Sequence, residues 1–243
     1  MEPVLDPRTP ALIGTGHFCE RIEDPDYQVR LPALAAKAAQ QALIDFGMKP
    51  HILAAAINTI ATTRQLENST PISQAPLGPS NYLPRSIGKR IGADPTRSIL
   101  EGAGGQRPQH LVNEFARLVA EGHGEFVLFS GAEAISTTRH FPKGPTKPNF
   151  NEAVDGPLED RGFGLAGLML RQLSEHYIGA PISYALFENA RRNKLGYVPD
   201  QSRVEMGRLF ASFWAAAADN PYSASQIAYS ADQTSAHRRR LPA

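Results

Sequence analysis

Two stretches of this sequence hold residues able to do chemistry. The first is Glu101-Gly-Ala-Gly-Gly-Gln-Arg-Pro-Gln109, a glycine-rich turn between an apolar strand and a helix expected from about Gln109 to Glu121. Backbone N–H groups at the start of such a helix lie at the positive end of its dipole, a geometry that suits an oxyanion or a phosphate. Gly104 and Gly105 in the turn, with His110 in the first helical turn, form one candidate substrate-binding set. His110 is placed to donate to a bound carbonyl or carboxylate. The competing reading is that the glycines only let this helix pack closely on a sheet. The second stretch is Ser136-Thr-Thr-Arg-His140, a polar cluster after an apolar strand, where open parallel sheets place their ligands. Ser136 and Arg139 are its candidates, Arg139 as a partner for phosphate, and a solvated loop is the alternative.

Other reactive residue types are weaker leads. Cys19 is the single cysteine, so it forms no internal disulfide and holds no zinc alone. His17 shares a face with it in an extended chain, but a lone cysteine is commonly a small apolar filler. Gly14-Thr-Gly16 follows an apolar run, yet a dinucleotide fingerprint needs a third glycine where Cys19 stands. The seven histidines show no metal-ligand spacing, so no metal site is expected. Glu159-Asp160-Arg161 and Arg191-Arg192 read as solvated charge, and Arg238 to Arg240 is too short for a nucleic-acid patch.

The elements that must position these residues alternate. Ala11 to Phe18 reads as a first strand running into a loop. Leu31 to Phe46 carries Leu34, Ala35, Ala38, Ala39, Ala42, Leu43 and Phe46 at helical period, with Gly47 as its stop. A strand is expected near Ile57 to Thr62, a short helix over Pro84 to Ile91, a strand over Arg97 to Leu100 and another over Phe126 to Phe129. Between them, Arg64 to Leu83 is rich in Pro, Ser, Asn and Gln, the composition of a functional or interface loop. Strands alternating with helices imply a mostly parallel, helix-covered sheet, an α/β fold. After Ser136, prolines and glycines break the pattern and three helices are expected: Gly164 to Tyr177, Tyr184 to Leu195 and Ser202 to Ala218. The last opens on an apparent capping box, Ser202-Arg-Val-Glu205. Beyond Ser223 the sequence turns small and polar, which predicts a poorly ordered tail.

The 243 residues can bury a proper core without disulfides. With 25 Lys and Arg against 24 Asp and Glu, no global field draws the chain to nucleic acid or an anionic membrane. No apolar run is long enough for a bilayer span, and the proline-broken, acidic start lacks the features of a signal peptide. A cytoplasmic protein with a neutral small-molecule or protein partner is the expectation. No internal repeat is evident.

The strings Ile60-Ala-Thr-Thr-Arg-Gln65, Pro84-Arg-Ser-Ile87, Gly104-Gly-Gln-Arg-Pro-Gln-His-Leu-Val-Asn-Glu-Phe115, Ser130-Gly-Ala-Glu-Ala-Ile-Ser136, Leu158-Glu-Asp-Arg-Gly162 and Ala185-Leu-Phe-Glu-Asn-Ala-Arg191 together resemble the thiolase superfamily. The resemblance looks closest to acetyl-CoA acetyltransferase-like proteins. It implies two similar α/β halves with a mostly helical loop domain inserted in the first. Residues 1–135 would then be the α/β first half, 136–222 the loop domain and 223–243 the tail. It also implies coenzyme A or an acyl-CoA as ligand, no covalently bound cofactor, and a homo- or hetero-oligomer with a thiolase-type chain as a possible assembly. Counted back from Glu133, which matches the glutamate of the family's Gly-Gly-Met-Glu-Ser motif, the nucleophilic cysteine's position falls on Gly105. No counterpart of the second half, which supplies a histidine base and a second cysteine, is expected in these residues. The resemblance therefore implies an acyl-CoA-binding protein with little thiolase activity alone, or else a non-catalytic subunit or truncated fragment that pairs with another thiolase-type chain.

Overall fold

The computed structural model describes residues 6–20, 31–71, 75–123, 126–141, 148–163, 180–223 and 225–236. The chain divides into two compact units, Met1–Leu170 and Arg171–Ala243.

The first unit is built on four parallel strands: β1 Thr59–Thr63, β2 Arg97–Glu101, β3 Val127–Phe129 and β4 Glu159–Asp160, in the order β3-β1-β2-β4. Helices α1 Leu31–Asp45, α2 Pro50–Ala56, α3 Leu83–Ile91, α4 Arg107–Ala120 and α5 Ile135–His140 connect and cover them. The step from β1 to β2 crosses the sheet one way, and the step from β2 to β3 returns past β1. Because parallel crossovers are right-handed, the two connecting helices α3 and α4 must lie on opposite faces.

The side chains of β1 record this. Ile60 joins α1, α2, α3 and Leu128 in one buried cluster, while the next residue, Ala61, joins Ile99, Leu111 and Phe115 beneath α4 in the other. The period-two alternation of a strand thus feeds two cores. Parallel pairing in register, Ile60 with Ser98 and with Leu128, Ala61 with Ile99, keeps like faces together.

Where the sequence predicts a strand over Ala11 to Phe18, the described backbone forms no strand, and Leu12 is 85% exposed. The segment lies along α1 instead. A Cβ on Gly14 would stand 2.3 Å from the Ala42 carbonyl oxygen, and one on Gly16 would stand 2.0 Å from that of Ala38. Glycine is what permits this approach, and Thr15 N–H ties it down by donating to Asp45 Oδ2 at 2.8 Å. Ser136 to His140, open to reading as a loop, is the short helix α5, whose Thr137 turns inward and is buried.

In the second unit, α6 Ala180–Lys194 and α7 Pro199–Ala218 are joined through Gly196, at φ 70°. Pro199 occupies the first turn of α7 and Val198 its cap position, so the predicted capping box at Ser202 lies inside the helix and Glu205 pairs with Arg208 at 2.7 Å. The expected helix over Gly164 to Tyr177 lies outside the described residues. In the stretch read as a poorly ordered tail, Ala231–Ala236 form a helix, α8, whose Ala231 carbonyl oxygen lies 2.5 Å from where a Cβ on Gly207 would be. Tyr229 meets Trp214 edge-on, with ring centroids 4.9 Å apart.

Candidate functional site

All four strands point the same way, so the segments leaving β1, β2 and β3 gather at one edge of the sheet, the carboxyl edge where open parallel sheets bind ligands. The glycine-rich turn leaves β2 there, and α5 follows β3 on the other side of β1. Topology therefore brings both candidate stretches to one edge.

The turn is held from below by Glu101, the last residue of β2, which is fully buried. A carboxylate in that position demands compensation. Glu101 Oε1 accepts from Gly102 N–H at 2.9 Å and from Arg107 Nη1 at 3.1 Å, and Oε2 accepts from Arg161 Nη1 at 3.0 Å. Gly102 and Arg107 bracket the turn, so one carboxylate grips both of its ends. Arg161 also holds Glu114 of α4 in a bidentate pair, at 2.6 and 2.7 Å, and reaches Glu159 at 2.7 Å. Arg97 pairs with Glu159 at 2.8 Å and lies 3.6 Å from Glu114. Arg64, just past β1, pairs with Asp160 at 2.5 Å and donates through Nε to the Gly162 carbonyl at 3.0 Å.

Four arginines thus face four carboxylates. The hydrogen bonds from Arg161 hold Glu114 below the ordinary carboxylate range. At Glu159, burial works against ionisation, yet hydrogen bonds from Arg161 and Arg97 prevail and lower it too. Arg161 is stabilised in its charged form by Glu114 first, then by Glu159 and Glu101. With its charges balanced, this cluster fixes the turn and ties the edge strand β4 to α4.

Gly104 has φ +148°, a conformation that side chains rarely adopt, while Gly105 is exposed and an added Cβ there would meet nothing within 4 Å. Gln106 caps α4 without a side-chain hydrogen bond. Arg107 N–H returns to the Gly104 carbonyl at 3.0 Å and Pro108 has no N–H, which leaves those of Gln106 and Gln109 as the first-turn donors to an incoming oxygen. His110 is half exposed, with Nδ1 3.4 Å from Glu101 Oε2. Ser136 and Arg139 stand exposed on α5, and no hydrogen bond or ion pair among the described residues joins them to the turn. Cys19 is exposed on the segment that lies along α1.

Sequence reasoning missed the arginine–carboxylate cluster. Glu159-Asp160-Arg161 reads as solvated charge from spacing alone. The available signal was Glu101 itself, a carboxylate ending the apolar run Ser98-Ile-Leu100, where burial requires a cation. Also unforeseen is a small polar pocket within the first unit, where Gln65, Glu67 and Asn68 face Thr137 and Thr138 of α5. Three of these lie in the stretch that composition marked as a functional or interface loop. Among the described residues no group of three or more His, Cys, Asp and Glu could hold a metal ion, and no helix is long and apolar enough to cross a membrane.

No protein-family model matches the chain, and no curated protein matches it. Among solved structures it is similar to a monomeric SCP2-thiolase-like protein type 1 from Mycobacterium smegmatis, at 35% sequence identity over 94% of this chain, with a TM-score of 0.67. The chain spans 39% of the length of that protein. A parallel four-stranded sheet with helices on both faces, together with this neighbour, identifies the fold as thiolase-like α/β.

Proposed function

We propose that this chain is a thiolase-like acyl-CoA-binding protein that does not carry out thiolysis by itself. The observation that supports this most directly is Gly105, which stands where the thiolase resemblance puts the nucleophilic cysteine. A residue with no side chain forms no acyl-enzyme, and carbon–carbon bond cleavage beside a thioester needs both an acyl acceptor and a base for the α-carbon. What the turn offers is a set of hydrogen-bond donors for a carbonyl oxygen. The Gln106 and Gln109 N–H groups and the adjacent His110 are the donors, held by the grip of Glu101 on Gly102 and Arg107. Arg139 is the candidate partner for a coenzyme A phosphate.

The test is calorimetric titration of the purified chain with coenzyme A and acetyl-CoA, beside an acetoacetyl-CoA thiolysis assay. Saturable binding without turnover is the expected result. Turnover that disappears in Cys19→Ser would overturn the reading, because it would place the chemistry on the one thiol present.

A second reading, a non-catalytic subunit that pairs with a thiolase-type chain, is the alternative that the thiolase resemblance implies. Against it, that neighbour is described as monomeric. Failure to bind either ligand by a cooperatively folded chain, with binding appearing on addition of a thiolase-type partner, would favour the subunit.

A further inference from the structure

Helix α6 distributes its large and charged side chains unevenly. At about 100° of rotation per residue, Tyr184, Phe187, Arg191, Lys194 and Leu195, which follows in the next turn, fall within one stripe roughly 100° wide. Tyr184 is 67% exposed and Phe187 73%, and Arg191, Lys194 and Leu195 are exposed as well. The opposite side carries Leu186, Asn189 and Asn193 and no charge. Glu188, the one carboxylate of α6, is partly buried, with Oε2 shielded from solvent. One face therefore interleaves aromatic rings with cations.

Two ordinary roles account for the other cations of this unit. Positive charge at the carboxyl end of a helix complements its dipole, and Arg192, donating to the Tyr197 carbonyl at 3.1 Å, serves there. On α7, Arg203 pairs with Asp200 and Arg208 with Glu205. Arg191 and Lys194 have neither role: no hydrogen bond or ion pair among the described residues engages either side chain.

The side of a helix is convex, so it offers no pocket to a small molecule. Its complement is a broad surface, apolar at one depth and anionic just above it. The boundary of a phospholipid bilayer has that layering: rings settle at the headgroup level, while arginine and lysine reach the phosphates along their own aliphatic stems. A nucleic acid would meet the cations but leave Leu195 and the exposed Val198 in water.

We propose that α6 is a peripheral membrane-binding helix for anionic phospholipid. It lies in the plane of the surface, with Tyr184, Phe187 and Leu195 at the boundary and Arg191 and Lys194 on the phosphates. The chain as a whole carries 25 Lys and Arg against 24 Asp and Glu, so the attraction is local to this face and weakens with salt. The face belongs to the second unit and the turn at Glu101 to the first, and the proposal does not depend on the acyl-CoA reading.

The experiment is cosedimentation of the full chain with vesicles of phosphatidylcholine alone, and of phosphatidylcholine mixed with phosphatidylglycerol, at low and at high salt. Each cation near an anionic surface is worth about fivefold in affinity. Binding to the mixed vesicles should thus be at least about tenfold tighter than to the neutral ones, and should be lost at high salt. Arg191→Gln combined with Lys194→Gln should weaken it about 25-fold. Phe187→Ser should weaken it at least about fivefold. All three positions are exposed, so the circular dichroism of the free chain should not change. Arg203→Gln combined with Arg208→Gln, which removes the paired cations of α7, should leave binding as it was. Equal binding to neutral vesicles would overturn the proposal in favour of apolar adsorption. An equal loss in the α7 variant would overturn it by showing that the cations act without regard to face. No binding to either vesicle would overturn it as well, and sedimentation velocity and a labelled single-stranded oligonucleotide would then show whether a second copy or a nucleic acid takes the face.

Discussion

At Gly104 the backbone is in a region that β-carbons avoid, whereas Gly105, its neighbour, is open on every side. The two glycines of one motif therefore have different reasons to be glycine. Gly104→Ala should cost about 1–3 kcal/mol, because the strained φ must relax and the new Cβ would lie 2.9 Å from Gln106 Oε1. Gly105→Ala should change stability by no more than about 0.5 kcal/mol. Urea unfolding of both variants measures the contrast, and equal costs would show that the turn is not built as described. Glu101 sits under the same turn with three donors on it. Glu101→Gln leaves Arg107 without its charge partner and should cost about 3 kcal/mol, the lower end for breaking a buried pair, because Arg161 keeps Glu114 and Glu159. A loss under about 0.5 kcal/mol would mean that the arginines re-pair freely with solvent. If the turn also receives the acyl-CoA carbonyl, Glu101→Gln should weaken acetyl-CoA binding beyond any change in stability.

At the scale of elements, β4 shows how charge substitutes for apolar burial. A strand of two residues, Glu159 and Asp160, both exposed, has no hydrophobic reason to pair with β2. It is carried there by Arg97 and Arg161 on one residue and Arg64 on the other. Glu114 and Glu159 both titrate below their ordinary 4.5, so each favours the folded state when ionised. That contribution is present above pH 4.5 and is lost as pH falls through the lowered folded values. Thermal midpoints should therefore drop on acidification below about pH 4.5, and Glu114→Gln should start lower at neutral pH and show a shallower acid drop. Parallel acid profiles for the two proteins would remove Glu114 from the account. Helices α1, α3 and α4 were legible in the sequence because the apolar residues of Leu34 to Leu43, Ile87 to Ile91 and Leu111 to Phe115 recur at helical period. The segment Ala11 to Phe18 was misread because its short apolar run imitates a strand, while the information that places it is the absence of a Cβ at Gly14 and Gly16. The cluster at Glu101 was not legible, since its members lie up to 97 positions apart, from Arg64 to Arg161, and only the sheet order brings them together.

For the whole molecule, the two units differ in what each has to hold it together. The first buries two apolar clusters, one on each face of its sheet, and adds the arginine–carboxylate cluster at the sheet edge. In the second, Gly207 is the buried residue of the 20-residue helix α7, while Phe210 and Phe213 of that helix and Tyr184 and Phe187 of α6 are exposed. Apolar surface left in water contributes nothing to the roughly 25 cal/mol per Å² that burial provides, so the second unit has the smaller reserve against its chain entropy. Trp214, the single tryptophan, lies in that unit against Tyr229, so its fluorescence reports on the second unit. The parallel sheet of the first unit contributes to far-ultraviolet circular dichroism but holds no tryptophan. In a urea titration the fluorescence transition should precede the main dichroism transition, with a smaller denaturant slope in keeping with less surface exposed. Gly207→Ala, which forces α8 away from α7 because its Cβ would meet the Ala231 carbonyl oxygen at 2.5 Å, should move the fluorescence transition to lower urea and leave the later one in place. Superimposable transitions, shifted together by Gly207→Ala, would show that the two units unfold as one cooperative body.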